Sequence, residues 1–325
     1  MANIIRCKKD VAVIGAGHWG KNYIRILNEK RRLHTVCETK LQFRLPEAIG
    51  WVKNPEYIQE NPQIKSVVIA TPPETHFKLA IEMLKSGKHV LVEKPMCMSS
   101  TEGVILGVEA RSDKRILMVG HLLRYHPAFR KVLELINADQ IGKLNYIYAS
   151  RLNLGRIREN ENVWWSFAPH DISMILALTG KEPTKVRACG SHNLKRIQCD
   201  STMTLMSFGN DIGAHIFVSW LHPFKRHELV CIGSRGMITF DDCKSWDEKI
   251  CVSMLRPDIT SIPEYEPVKQ AEPLEIEIDH FLECCDASGK ETEVSPVTDA
   301  AEGISVLKIL ERAQQSMEDN NGREQ

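Results

Sequence analysis

The stretch VAVIGAGHWG at residues 11–20 constrains the chain more than any other. An apolar run from Val11 to Ile14 leads straight into Gly15-Ala16-Gly17-His18-Trp19-Gly20, and a segment of helical periodicity comes next at 21–30. A G-x-G-x-x-G pattern gains weight only in this context, between a strand and a helix. Gly15 permits the tight turn, Gly17 lets the backbone approach a pyrophosphate, and Gly20 lets the helix pack close to its strand. Free N–H groups at the helix N-terminus then face the diphosphate. The pattern predicts a dinucleotide site containing Gly15, Gly17, His18, Trp19 and Gly20. The competing reading is an ordinary strand–turn–helix.

The next hundred residues favour the dinucleotide. Residues 33–38 (LHTVCE) read as a second strand ending in Glu38, 23 residues beyond Gly15. That spacing suits the acid that hydrogen-bonds the adenosine ribose, and a carboxylate there repels a 2′-phosphate, so the expected cofactor is NAD. Residues 54–61 read as a short helix. Residues 65–70 (KSVVIA) form a continuous apolar strand of the buried parallel kind and end in Thr71-Pro72-Pro73-Glu74-Thr75-His76. Helix at 77–86, strand at 89–92, helix at 101–112 and strand at 116–120 complete an alternation that means a parallel, doubly wound sheet.

Beyond residue 122 the pattern changes. A helix at 127–138 and a strand at 144–152 lead to a polar loop, 153–162, bearing Gly155, Arg156 and Arg158. A helix at 164–178 is followed mostly by strands: 186–192, 201–208, 213–220, 227–233 and 237–240, with Asn210-Asp211 as a hairpin turn. Residues 243–270 read as irregular, and 272–285 and 298–317 as amphipathic helices, the second capped by Thr298 or Asp299. This half reads as a separate α+β domain. On the strand 213–220 both faces are partly apolar, which predicts a homo-oligomer interface on the sheet.

Composition excludes several classes. The 325 residues suit about two domains. Lys+Arg 42 balances Asp+Glu 42, so no global field favours nucleic acid or an anionic membrane. No run reaches the roughly 18 apolar residues of a spanning helix, and the N-terminus lacks a signal-peptide plan. Ten cysteines, at 7, 37, 97, 189, 199, 231, 243, 251, 284 and 285, show neither C-x-x-C nor zinc-finger spacing. They are expected to be reduced thiols in a cytoplasmic protein without a metal site.

Two constellations carry chemistry. Glu93-Lys94-Pro95 ends a strand, where an ammonium beside a dinucleotide can hydrogen-bond a substrate hydroxyl and lower its pKa as hydride leaves. His170, at the start of a helix after Trp164-Trp165-Ser166-Phe167-Ala168-Pro169, suits a general acid/base near neutral pH. Each also has a structural reading, as a surface lysine in a turn and a hydrogen-bonded histidine. Arg151, Arg156 and Arg158 cluster as a diphosphate would require, or form a solvated loop.

Taken in order, VIGAGHWG, the Thr71-Pro72-Pro73-x-x-His76 loop, Glu93-Lys94-Pro95 and His170 resemble the glucose–fructose oxidoreductase / inositol dehydrogenase / rhizopine-catabolism family. The resemblance covers residues 8–318. It implies an N-terminal Rossmann domain (1–122) and a C-terminal α+β domain (123–325) with a large, mostly antiparallel open sheet, often used for oligomerisation as a dimer or tetramer. The helix at 298–318 is expected to pack back on the Rossmann domain. The resemblance implies hydride transfer between a nicotinamide and a sugar or polyol carbon. By it, Lys94 and His170 are the catalytic pair. Thr71, Pro72 and His76 lie by the nicotinamide, and Glu93 and Lys94 lie in the cofactor site.

Within that family, APHDIS (168–173) with HLLRYHPAF (121–129) is similar to UDP-N-acetylglucosamine 3-dehydrogenases, whose ketone product an aminotransferase uses. The substrate side is then expected to draw on Arg124, Tyr125, Arg151, Arg156, Trp165, Ser166 and His170. The alternatives are an inositol-type polyol dehydrogenase and a non-catalytic dinucleotide-binding regulator. One departure stands out: the family commonly has Asp four residues before the histidine, where this chain has Ser166.

Overall fold

A computed structural model describes residues 8–154, 161–194, 198–209, 212–255, 263–290 and 294–321. They divide into two compact units, one of residues up to His121 with Leu274–Leu307, the other of Leu122–Pro273 with the chain from Lys308 onward. The chain passes from the first unit to the second between His121 and Leu122. The stretch Leu274–Leu307 belongs to the first unit.

The first unit is built on a six-stranded parallel sheet in the order β3-β2-β1-β4-β5-β6. Its strands are β1 (Val11–Ile14), β2 (Leu33–Cys37), β3 (Gly50–Val52), β4 (Ser66–Ile69), β5 (His89–Glu93) and β6 (Leu117–Gly120). Between them run α1 (Gly20–Glu29), α2 (Glu56–Glu60), α3 (His76–Lys85) and α4 (Ser100–Ser112). Strands β1, β4 and β6 are buried throughout, as their unbroken apolar runs require of a sheet covered on both faces. The edge strand β3 escaped the sequence reading because three residues with no buried member carry no periodic signal.

The returning segment completes this unit. Helix α7 (Pro273–Ala287) buries Leu274, Ile278, Phe281 and Leu282. Asp286 on it accepts from Arg32 Nη1 at 2.9 Å, while Arg32 Nε donates to Asp10 at 2.8 Å. Beyond α7, Thr298 Oγ1 donates to the Val119 carbonyl at 2.7 Å, and the Val119 amide donates to the Thr298 carbonyl. An antiparallel bridge between Met118 and Asp299 covers the edge of β6. Asp299 is the residue that caps α8 (Ala300–Asn321), accepting from the Glu302 amide at 2.9 Å. The first turns of α8, through Leu307, belong to this unit, and the remainder belongs to the second.

The second unit is an eight-stranded sheet in the order β14-β13-β12-β11-β7-β10-β9-β8. The strands are β7 (Leu144–Leu152), β8 (Lys185–Ser191), β9 (Ser201–Phe208), β10 (Ile212–Ser219), β11 (Arg226–Gly233), β12 (Gly236–Asp241), β13 (Ile250–Met254) and β14 (Pro263–Tyr265). Only β7 and β10 pair in parallel. Helices α5 (Pro127–Asn137) and α6 (Val163–Thr179) cover one face. Ile147, Ala149, Ala214, Ile216, Val218, Met206 and Phe208 are buried on that side. Strands β13 and β14 overturn the irregular reading of 243–270. Ile250 and Val252 alternate into the core, but β14 has three exposed residues and is recruited only by pairing with Cys251–Ser253. The turn at Asn210-Asp211 lies outside the described residues, although Phe208 and Ile212 on either side of it pair antiparallel.

None of the nine described cysteines is in a disulfide. No described helix is long and apolar enough to cross a membrane.

Candidate functional site

In the first unit the predicted cofactor residues gather at the carboxyl ends of β1, β2, β4 and β5, four strands adjacent in the sheet. The three glycines are needed for different reasons. Gly15 sits at φ +95°, and a Cβ there would lie 2.6 Å from the Ala70 carbonyl oxygen. A Cβ on Gly20 would lie 2.1 Å from the Gly15 carbonyl oxygen. A Cβ on Gly17 would meet nothing within 4 Å. Protein packing thus demands glycine at 15 and 20, while the space over Gly17 is left open, as an approaching diphosphate requires. No side chain caps the N-terminus of α1, where the Lys21 and Asn22 amides donate to the Gly17 and Trp19 carbonyls, and the positive end of the helix dipole faces the glycine turn. These residues fit NAD.

Glu38 follows β2 and turns its carboxylate back on the glycine turn. Oε2 accepts from the Ala16 amide at 2.9 Å, and Oε1 from Thr39 Oγ1 at 3.0 Å. Burial alone would raise its pKa, but these hydrogen bonds and that of the Lys40 amide outweigh burial and hold it below the usual carboxylate value. Glu38 therefore stays an acceptor, the chemistry that ribose hydroxyls need.

The loops after β4 and β5 are clasped together. His76 is buried, with Nδ1 2.8 Å from the Pro95 carbonyl oxygen and Nε2 2.9 Å from that of Thr71. Burial lowers its pKa, and the neutral imidazole, with one N–H, donates to one of these two carbonyls. Thr71 Oγ1 lies 2.6 Å from Thr75 Oγ1, and Thr75 Oγ1 donates to the Pro72 carbonyl, which shapes the turn. Lys94 is half-buried, its peptide bond to Pro95 is cis, and its amide donates to Glu93 Oε2 at 3.1 Å. Glu93 Oε1 accepts from the Trp19 indole N–H and lies 2.7 Å from Tyr23 Oη. Trp19 and Glu93, predicted separately as cofactor residues, therefore form one cluster. His18 is exposed.

In the second unit the predicted substrate residues gather around α6. Asn162 caps this helix, accepting from the Trp165 amide at 3.1 Å, and Trp164 is buried with its indole N–H on the Leu310 carbonyl. The helix expected at 164–178 runs Val163–Thr179, so His170 does not open it. The helix starts seven residues earlier, and Pro169 lies inside it. Pro169 has no N–H for the Trp165 carbonyl, so the ladder is interrupted one residue before His170. Ser166 is buried one turn before half-buried His170, on the same helix face. Arg124 is half-buried, its Nη1 3.4 Å from the Ser173 carbonyl, and Tyr125 is buried.

One expectation fails. Arg151 is not placed to hold a diphosphate. It is buried, and Nε and Nη2 bind Asp171 in bidentate fashion at 2.8 and 2.9 Å, while Nη1 lies 3.2 Å from His227 Nδ1. In a strand whose alternate residues face α6, a buried arginine needs such a partner. Arg156 and Arg158 lie outside the described residues.

Sequence reasoning missed the groups that steady these side chains. Asp171 adjoins His170 and could have been noticed. Asp242 binds Lys249 at 2.9 Å and His126 at 3.2 Å; burial would raise its pKa, but these partners hold it far below the carboxylate range. Its partners are too distant in sequence to leave a pattern. Glu277 did leave one: an acid within the apolar stripe Leu274, Ile278, Phe281 of α7.

Residues 9–121 match an oxidoreductase family with an NAD-binding Rossmann fold, and residues 129–239 match the GFO/IDH/MocA C-terminal domain. The scyllo-inositol 2-dehydrogenase (NAD(+)) of Bacillus subtilis is 26% identical over 246 residues, 72% of this chain and 71% of that protein. The UDP-N-acetylglucosamine 3-dehydrogenase of Acidithiobacillus ferrooxidans is 33% identical over 129 residues, 39% of this chain and 40% of its own length. A solved structure of the latter enzyme superposes with a TM-score of 0.83 over 95% of this chain and 98% of that one; at 22% identity this likeness is one of fold.

Proposed function

We propose, since this chain belongs to the GFO/IDH/MocA family of NAD-binding oxidoreductases, that it oxidises a sugar hydroxyl to a ketone at C3 of a UDP-N-acetylglucosamine-type substrate. The observation that carries the reading is the setting of Lys94: it follows β5 at the cofactor edge of the sheet, its backbone held by Glu93 and its loop clasped by His76. Bound NAD supplies the hydride acceptor. Gly17, the N-terminal end of α1 and Glu38 would hold it. The Lys94 ammonium donates a hydrogen bond to the substrate hydroxyl and lowers its pKa, and His170 takes the proton. A second reading, oxidation of a free polyol, is supported by the longer match to the inositol dehydrogenase.

Lys94→Ala and His170→Ala test the chemistry. Each is expected to cost about 10²-fold or more in turnover, the usual worth of an acid–base group, with NAD still bound. Near-normal turnover in both variants would remove the mechanism.

The open face of the eight-stranded sheet supports self-association. Across it, in register, lie Arg187, Leu205, His215, Tyr148, Val230, Thr239, Cys251 and Tyr265. Leu205 is 53% exposed and Tyr265 55%. The exposed Leu205 and Tyr265, set among polar neighbours in that row, fit contact with a second copy of the chain. Light scattering that finds a monomer at micromolar concentration would contradict it.

A further inference from the structure

The first unit contains a buried acid for which the proposed reaction has no use. Glu277 on α7 is fully buried, and its Oε2 lies 3.2 Å from Tyr23 Oη on α1. Tyr23 is also fully buried, and its hydroxyl lies 2.7 Å from Glu93 Oε1 at the end of β5. Two carboxyl groups thus flank one phenol, which has a single hydrogen to give. The shorter contact takes it, so Tyr23 donates to Glu93. The contact to Glu277 is then a hydrogen bond only if Glu277 carries a proton and donates it to Tyr23 Oη.

Two further observations agree. Glu277 Oε1 has no hydrogen-bond partner among the described residues. An ionised carboxylate in such a place would be an uncompensated buried charge, whereas a neutral acid leaves only a carbonyl oxygen unmet. Burial first, and Glu93 second, raise the Glu277 pKa well above the carboxylate range, and the hydrogen bond to Tyr23 only partly offsets them. Burial likewise raises that of Tyr23, with Glu277 and Glu93 adding to it.

We propose that Glu277 and Tyr23 are positioning residues for the cofactor site: neutral Glu277 donates to Tyr23, Tyr23 donates to Glu93, and the chain fixes the carboxylate that also accepts from the Lys94 amide. The inference rests on the reading that Glu93 lies in the cofactor site. Its sense is geometric. Oε1 of Glu93 is held by Tyr23 and Trp19 and Oε2 by the Lys94 amide, so the turn that carries Lys94 has one orientation before any ligand arrives.

The test uses the full chain and NAD alone, with binding measured by calorimetry. Tyr23→Phe removes the donor to Glu93, and Glu277→Leu removes the acid. Each is expected to weaken NAD about tenfold, the worth of one hydrogen bond to a charged group. Glu277→Gln keeps a donor to Tyr23 and is expected to restore most of the affinity lost in Glu277→Leu. Infrared spectroscopy at neutral pH should show a protonated carboxylic acid in the native chain that is missing in Glu277→Gln, a variant that keeps the shape of the site. Affinity unchanged in Tyr23→Phe, failure of Gln to rescue, or no such band would each overturn the inference. A Glu93→Ala variant that binds NAD normally would strike instead at the placement of Glu93, and the inference would fall with it.

Discussion

The two units hold their functional groups by different means. At the cofactor edge of the first, backbone does most of the placing: glycines where a Cβ would collide, amides on Glu38 and Glu93, carbonyls on both nitrogens of His76. On α6 of the second, side chains do it: Asn162 starts the helix, Trp164 anchors it, and the Arg151–Asp171 pair secures the turn after Pro169 has broken the ladder. A site placed by backbone fails through local clashes. A site placed by buried pairs fails when one distant partner is lost.

The largest expected effect comes from that contrast. Arg151→Met leaves Asp171 as an unpaired buried charge beside His170 and should destabilise the second unit by about 3–5 kcal/mol. Turnover should fall with it, while NAD affinity, a property of the other unit, holds. Denaturant unfolding together with NAD titration checks this, and loss of NAD affinity in step with turnover would erase the distinction.

Next in size is a pair of glycine variants. Gly20→Ala should cost stability, on the order of 1–3 kcal/mol for a forced backbone shift. Gly17→Ala, with open space around it, should melt like the native chain yet bind NAD about tenfold more weakly, because the added methyl occupies the approach of the diphosphate. If Gly17→Ala melts early, its role is packing and not binding.

Acid should weaken the first unit. Burial lowers the pKa of His89 from the ordinary 6.5 to about 4, with Arg115 adding to the effect. Between those values the unfolded chain binds the proton and the folded one does not. Stability is therefore full above about 6.5 and declines as pH falls toward 4, by roughly 3 kcal/mol in all. His89→Gln should flatten that decline in an unfolding series against pH.

The smallest effect concerns Ser166. Ser166→Asp would place a carboxylate one helical turn before His170 and should raise the apparent pKa of turnover, by about one unit for an opposite charge at that range. An unmoved pH profile would show that Ser166 is not electrically coupled to His170.

The same contrast explains why some features were legible in the sequence and others were not. The glycine turn, Glu38 and Glu93-Lys94 could be read because strand, turn and helix are consecutive, so position along the chain translates into position on the sheet edge. The parallel alternation of apolar runs revealed the first sheet nearly strand for strand. Arg151 was misread because its partner is 20 residues away on another element, and nothing in RLNLGR says that the first arginine points inward. The extent of the helix around His170 was legible, but not that Pro169 lies within it and breaks its ladder one residue before His170. Strand β14 and the placement of helix α7 in the first unit depend on pairing and packing with residues far off in sequence.

The central claim is NAD-dependent oxidation of a sugar hydroxyl, and reduction of NAD monitored by absorbance across UDP-sugars, free sugars and polyols tests it most directly. The predicted result is NADH formation with UDP-N-acetylglucosamine, drawn forward when the ketone is removed by an aminotransferase. Turnover of inositol or glucose alone would replace the nucleotide sugar with a free polyol. Tight NAD binding without reduction by any of these would contradict the claim.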